Sequence, residues 1–161
     1  MLSKRRGRPK GHIGSAVILD HSQIKQVLKV ARSSGQFADR AEVAFRLTVE
    51  AGFRASELCE LKWSDFIDEN GRIRERLNGR FGTRQAFSLS RPEIRQLVAT
   101  YRERLEDRFG PVQRLPFFPS SRGEGFTAPS MTRFLNNLYR QAGVLGATSR
   151  SGRRTFKTGF R

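Results

Sequence analysis

Apolar residues recur at helical spacing in Ile24, Val27, Leu28 and Ala31, and again in Ala41, Val43, Ala44, Leu47 and Val49. Two amphipathic helices are therefore expected from about Ser22 onward, the second stopped by Gly52. Leu58 and Leu61 repeat that spacing just beyond the glycine and open a third. Trp63 to Ile67 reads as extended, Glu69-Asn70-Gly71 as a turn, and Arg72 to Leu77 with Arg84 to Leu89 as a hairpin around a Gly79 to Thr83 loop. Ser90-Arg91-Pro92-Glu93 has the capping-box pattern, and Ile94, Leu97, Val98 and Tyr101 carry a long helix toward Gly110. Pro111 to Pro129 reads as a loop, tied to the core by Pro116-Phe117-Phe118-Pro119. A helix from Ser130 to about Ala142 follows, with Met131, Phe134, Leu135 and Leu138 on one side, and a last one starts near Ser151. The pattern predicts an α+β domain, mainly α-helical with a small antiparallel β-sheet. Residues 1–19 show no apolar period and read as a flexible basic arm, leaving residues 20–161 as the folded domain.

Composition sharpens this picture through charge. The 161 residues hold 31 Lys plus Arg against 15 Asp plus Glu, a formal charge of +16, which points to a polyanionic partner. Placement is more telling than the total. The first 19 residues hold Lys4, Arg5, Arg6, Arg8 and Lys10 with no acid, and no acid follows Glu124, whereas Arg133, Arg140, Arg150, Arg153, Arg154, Lys157 and Arg161 do. The middle interleaves both signs, as in Arg102-Glu103-Arg104, which is the habit of a solvated helix face. No apolar run reaches the length of a membrane span and no signal-peptide core follows the basic start, so a cytoplasmic protein is expected. Cys59 is the single cysteine, which excludes an intrachain disulfide and a cysteine-based metal cluster; no metal, cofactor or small-molecule substrate is expected.

The candidate chemistry centres on arginine. Gly52-Phe53-Arg54-Ala55-Ser56-Glu57-Leu58-Cys59-Glu60-Leu61-Lys62-Trp63-Ser64-Asp65 sets Arg54 at a helix start, where its charge adds to backbone N–H groups that already favour an anion. This segment resembles the first signature box of the tyrosine recombinases, the phage-integrase family. Ser149-Arg150-Ser151-Gly152-Arg153-Arg154-Thr155-Phe156-Lys157-Thr158 resembles the second box, with Arg153 on the family's second clamping arginine. Arg84-Gln85-Ala86-Phe87-Ser88-Leu89-Ser90 and Leu115-Pro116-Phe117-Phe118-Pro119-Ser120 resemble the segments between, and the first box is similar to that of the single-domain fimbrial phase-variation recombinases. The resemblance implies a recombinase catalytic-domain fold, incomplete at the C-terminus, and double-stranded DNA as partner. It also implies that Arg54 and Arg153 clamp one phosphate by forked, charge-assisted donors. Arg80, Arg84, Arg150, Arg154 and Lys157 would line the positive surface.

The family's remaining set is thinly represented. No lysine occurs from Trp63 to Phe156, and Arg80 lies where the lysine loop belongs; an arginine cannot give up a proton near neutral pH. Arg150 takes the place of the box-two histidine, and Tyr101 and Tyr139 fall on apolar helical faces as core tyrosines. Arg6-Gly7-Arg8-Pro9-Lys10 has the form of an AT-hook, suited either to a narrow A·T minor groove or to general phosphate contacts. Three readings stay open: an integrase that binds DNA without cutting it, a recombinase whose nucleophile comes from another chain, and a DNA-binding regulator on a recombinase scaffold. Self-association or pairing with a full-length recombinase is expected if the apolar surface near Phe134, Leu138, Val144 and Phe156 is left uncovered.

Overall fold

The computed structural model describes residues 16–77, 88–89 and 91–159. Its helices are α1 (His21–Arg32), α2 (Ala38–Ala51), α3 (Ala55–Glu60), α4 (Trp63–Phe66), α5 (Pro92–Phe109), α6 (Ala128–Gln141) and α7 (Ser151–Lys157), with 3-10 turns at Gly35–Phe37 and Val112–Arg114. Helix α2 is the central element. Nine of its residues, Ala41 to Phe45, Leu47 to Val49 and Ala51, are buried because α1, α5 and α7 all pack on it. Helix α6 closes the other side against α1 and α3.

Local chemistry sets the helix ends. Asp20 caps α1 by accepting from the Gln23 N–H (2.8 Å), and the Gln23 side chain accepts from the Asp20 N–H (3.0 Å). Gly52 ends α2 in the left-handed region at φ 74°, and the Phe53 N–H returns to the Leu47 carbonyl (3.1 Å). That turn delivers the chain directly into α3. The loop after α5 is anchored as its apolar sequence predicts: Phe117 stacks on Phe66 with ring centroids 4.0 Å apart, Trp63 lies 4.5 Å from Phe117, and the Tyr101 hydroxyl donates to the Phe117 carbonyl (2.5 Å).

Four expectations need correction or restatement. Trp63 to Phe66 is a helical turn instead of an extended segment, because Asp65 accepts from the Lys62 N–H (2.9 Å) and Trp63 and Phe66, three apart, bury on one face. Helix α6 begins two residues before Ser130: Thr127 caps it and Pro129 falls in its first turn, where the missing N–H costs nothing. The basic arm does not extend through residue 19, since Leu19 is 1% exposed in the core and its N–H donates to the Thr155 hydroxyl (2.9 Å). Among the described residues there is no strand. Isolated antiparallel bridges join Lys62 to Pro116, Ile67 to Ile73, Arg76 to Ser88 and Pro119 to Gly125, and most of the expected 84–89 strand, with Ser90, lies outside the described residues.

Candidate nucleic-acid interface

Two helix starts, nearly a hundred residues apart in sequence, form the walls of one open cleft of about 700 Å³. Arg54, Ala55 and Ser56 supply the α3 side, Ala128 and Thr132 the α6 side, and Ser149, Arg150, Arg153, Arg154 and Lys157 the α7 side. The five cations expected from box one and box two are thus brought together. No acidic side chain lines the cleft among the described residues. Arg6, Arg8, Lys10, Arg80 and Arg84 lie outside the described residues; Ala16 also lines the cleft.

Each arginine is positioned by its own backbone and by one shared carboxylate. Arg54 sits in extended conformation ahead of α3 with its side chain exposed, and its N–H donates to Glu57 Oε1 (2.9 Å). Arg153 is held more tightly. Its side chain is 14% exposed, and its guanidinium donates to the Gly52 carbonyl and to Glu57 Oε1, both at 3.4 Å. Glu57, buried between them, therefore ties box one to box two. Sequence reasoning missed that role; a glutamate three residues into a helix was the available signal.

Helix α7 presents this arginine because its other faces are committed. Gly152 lies against Thr48 of α2, where an added Cβ would meet the Thr48 Cβ at 2.6 Å, and Thr155 donates to the Ser151 carbonyl (2.7 Å) while accepting from Leu19. Phe156 covers Gly52, whose absent side chain leaves space for the ring; a Cβ there would meet Phe156 Cε1 at 2.8 Å. The approach to α7 is fixed from α6, where the Asn136 Oδ1 accepts from the Ser149 N–H (2.8 Å).

The tyrosines belong to the core. Tyr101 and Tyr139 are each 2% exposed and neither lines the cleft; burial pushes both phenols well above their ordinary range. His21 lines a separate groove between α1, α2 and α5, and His12 lies outside the described residues. Cys59 is half-buried, its thiol pushed up to about 11 by desolvation and by the adjacent Glu60. Among the described residues no group of His, Cys, Asp or Glu could hold a metal ion, and no helix is long and apolar enough to cross a membrane.

The family model described as "Phage integrase family" matches residues 18–159. A search of curated proteins returned no match. Among solved structures, XerA recombinase matches with a TM-score of 0.68 and 22% identity over 90% of this chain and 51% of that one. XerH site-specific recombinase bound to its difH substrate in a pre-cleavage complex matches at 0.64 and 22%, over 88% and 41%. A lambda integrase tetramer bound to a Holliday junction matches at 0.61 and 18%, over 89% and 42%. At these identities the likeness establishes the fold, and the chain spans about half or less of each of these structures.

Proposed function

The chain belongs to the phage integrase family, and from that premise we propose that it binds double-stranded DNA in the setting of site-specific recombination and DNA integration. Arg54 and Arg153 hold one backbone phosphate between them. The observation that carries this reading is that the two arginines line one cleft and share the buried Glu57. Forked guanidinium donors suit a phosphate's geometry, and fixed donors stabilise the extra negative charge if its phosphorus becomes five-coordinate. Arg150, Arg154 and Lys157 extend the positive surface, with Arg80 and Arg84 contributing from the segment between the boxes. Arg6, Arg8 and Lys10, which precede Ala16 in the chain, reach neighbouring DNA.

Binding and cleavage separate in this chain. Tyr101 and Tyr139 are buried and neither lines the cleft, which supports a nucleophile for any strand cleavage supplied from outside the described residues. A DNA-binding regulator on the same scaffold is the second reading, favoured by Arg150 at the position of the box-two histidine. The protein works in the cytoplasm on DNA and associates with itself or with a complete recombinase.

The test is binding of a labelled duplex with Arg54 and Arg153 replaced together by alanine. Affinity should fall, and the wild-type log-affinity should drop steeply with log salt. A nicked suicide duplex should trap no covalent adduct on Tyr101 or Tyr139. Unchanged affinity in the double variant would remove the phosphate clamp, and an adduct on either tyrosine would overturn the separation of binding from cleavage.

A further inference from the structure

Helix α7 carries its cations in a single line. Arg150, Arg153, Arg154 and Lys157 stand at i, i+3, i+4 and i+7, which keeps four side chains on one helical face, and all four line the cleft. The stripe cannot rotate away. Ser151, Gly152 and Thr155 on the opposite face are fully or nearly fully buried, against α2 and the chain at Leu19.

Length then limits what the stripe can hold. At 1.5 Å rise per residue the first and last cations are about 10 Å apart along the helix. One strand of a duplex advances about 3.4 Å of axis per phosphate while winding round it, so three successive phosphates spread wider in space than along the axis, and the outward reach of the first and last side chains covers the difference. The four cations fall on three levels. Arg153 and Arg154 share the middle one, in the cleft that Arg54 also lines, while Arg150 sits one turn before it and Lys157 one turn after, both exposed. Across the cleft stand Ala55, Ser56, Ala128 and Thr132, short uncharged side chains that leave room for sugars.

We infer that the cleft engages three consecutive phosphates of one DNA strand: the central one held by Arg54, Arg153 and Arg154, its neighbours by Arg150 and Lys157. The ligand is then a contiguous phosphodiester backbone instead of an isolated phosphate, gripped without regard to base sequence. This rests on the reading that Arg54 and Arg153 clamp a phosphate.

Counterion release measures it. Affinity of the full chain for a labelled random-sequence duplex is followed by anisotropy from 50 to 200 mM salt, with folding of each variant checked by ellipticity. Each phosphate contact contributes about 0.9 to the slope of log affinity against log salt. Arg150→Gln and Lys157→Gln should each flatten the slope by about 0.9 and together by about 1.8, so that wild type loses about 12-fold more affinity across this range than the pair. Arg150→Lys and Lys157→Arg keep the charge and should keep the slope. Arg54→Gln with Arg153→Gln should flatten it by at most about 0.9, because the two share one phosphate with Arg154. If the end variants leave the slope unchanged while the central pair weakens binding, the three-phosphate assignment falls and the clamp stands. If the central pair changes nothing, both fall.

Discussion

Replacing Gly152 by alanine should pry α7 from α2 and loosen the arginine pair with it. In an unobstructed helix this substitution stabilises by about 1 kcal/mol, because alanine restricts the unfolded chain and is the better helix former. Here the new methyl would stand 2.6 Å from the Thr48 Cβ and 3.3 Å from the Thr48 carbonyl carbon. Ordinary carbon contacts lie at about 3.5–4.0 Å, so α7 must retreat by about 1 Å. Thr48 cannot yield in its place. Its Cβ is fixed by the backbone of the central helix, and its hydroxyl is pinned by donating to the Phe45 carbonyl (2.6 Å).

Overpacking of this kind costs about 1–3 kcal/mol, which outweighs the propensity gain and reverses the sign. Chemical denaturation followed by ellipticity should show a net loss of about 1–2 kcal/mol, and melting should fall by about 2–8 °C. The same movement lengthens the Arg153 bonds to Gly52 and Glu57, already 3.4 Å, so duplex affinity should fall with stability. Adding Thr48→Ala removes the hydroxyl, the atom nearest the new methyl, but keeps the Cβ at 2.6 Å, so the double-mutant cycle should give a favourable coupling that recovers only part of the loss. A Gly152→Ala protein more stable than wild type, with unchanged duplex affinity, would refute the close packing of α7 on α2.

Three further outcomes follow from the geometry. Glu57→Gln keeps an acceptor for the Arg54 N–H but leaves Arg153 without its buried counter-charge, so it should cost about 1–2 kcal/mol in denaturation and weaken duplex binding although net charge becomes more positive; tighter binding would show that Glu57 only opposes DNA. Tyr101 and Tyr139 are held neutral by burial, and because both pKa values lie above the usual 10.0, the folded state should lose stability as pH rises past 10; absorbance at 295 nm should show phenolate appearing only with unfolding, and smooth titration near pH 10 in folded protein would contradict their burial. Asp65 and Asp68 should titrate on opposite sides of 3.8: burial raises Asp65, whereas Asp68 is lowered first by the Arg72 N–H it accepts (2.9 Å), so Asp68 contributes stability above its unfolded pKa that disappears as pH falls through the lower folded value. Carboxyl carbon shifts measured against pH would expose a reversed order.

Where a helix carried a strong apolar period the chain could be read directly, as for α1, α2 and α5, and Gly52 and Gly110 stop their helices where expected. The errors fell where period and propensity conflict. Trp63 to Ile67 has the β-favouring residues of a strand, yet the spacing of Trp63 and Phe66 and the Asp65 cap decide for a helical turn, because both rings find the Phe117 pocket only from one face. Pro129 was read as a loop residue when Thr127, two positions earlier, already offered the cap that lets proline start α6. Leu19 had no periodic partner in its own segment, and its burial depends on Thr155, 136 residues away.

The cations of the cleft were legible for a local reason: Arg54 and Arg153 each sit in a short patterned segment at a helix start. What joins them was not, because every link crosses about a hundred residues of sequence. Glu57 reads locally as a helix-start glutamate, and only the fold turns its carboxylate toward Arg153. Gly52 reads locally as a helix stop, yet it meets three demands at once. Its positive φ turns the chain toward Arg54, its carbonyl accepts from Arg153, and its missing side chain leaves the space that Phe156 fills. A residue larger than glycine would strain the turn and displace the ring, and through α7 would shift Arg153. The position of the Arg153 guanidinium relative to the Arg54 backbone is therefore set by Gly52 and Glu57. On the proposed phosphate reading, such a cleft holds the Arg153 donors in place before the anion arrives, which is what electrostatic stabilisation of a developing charge requires.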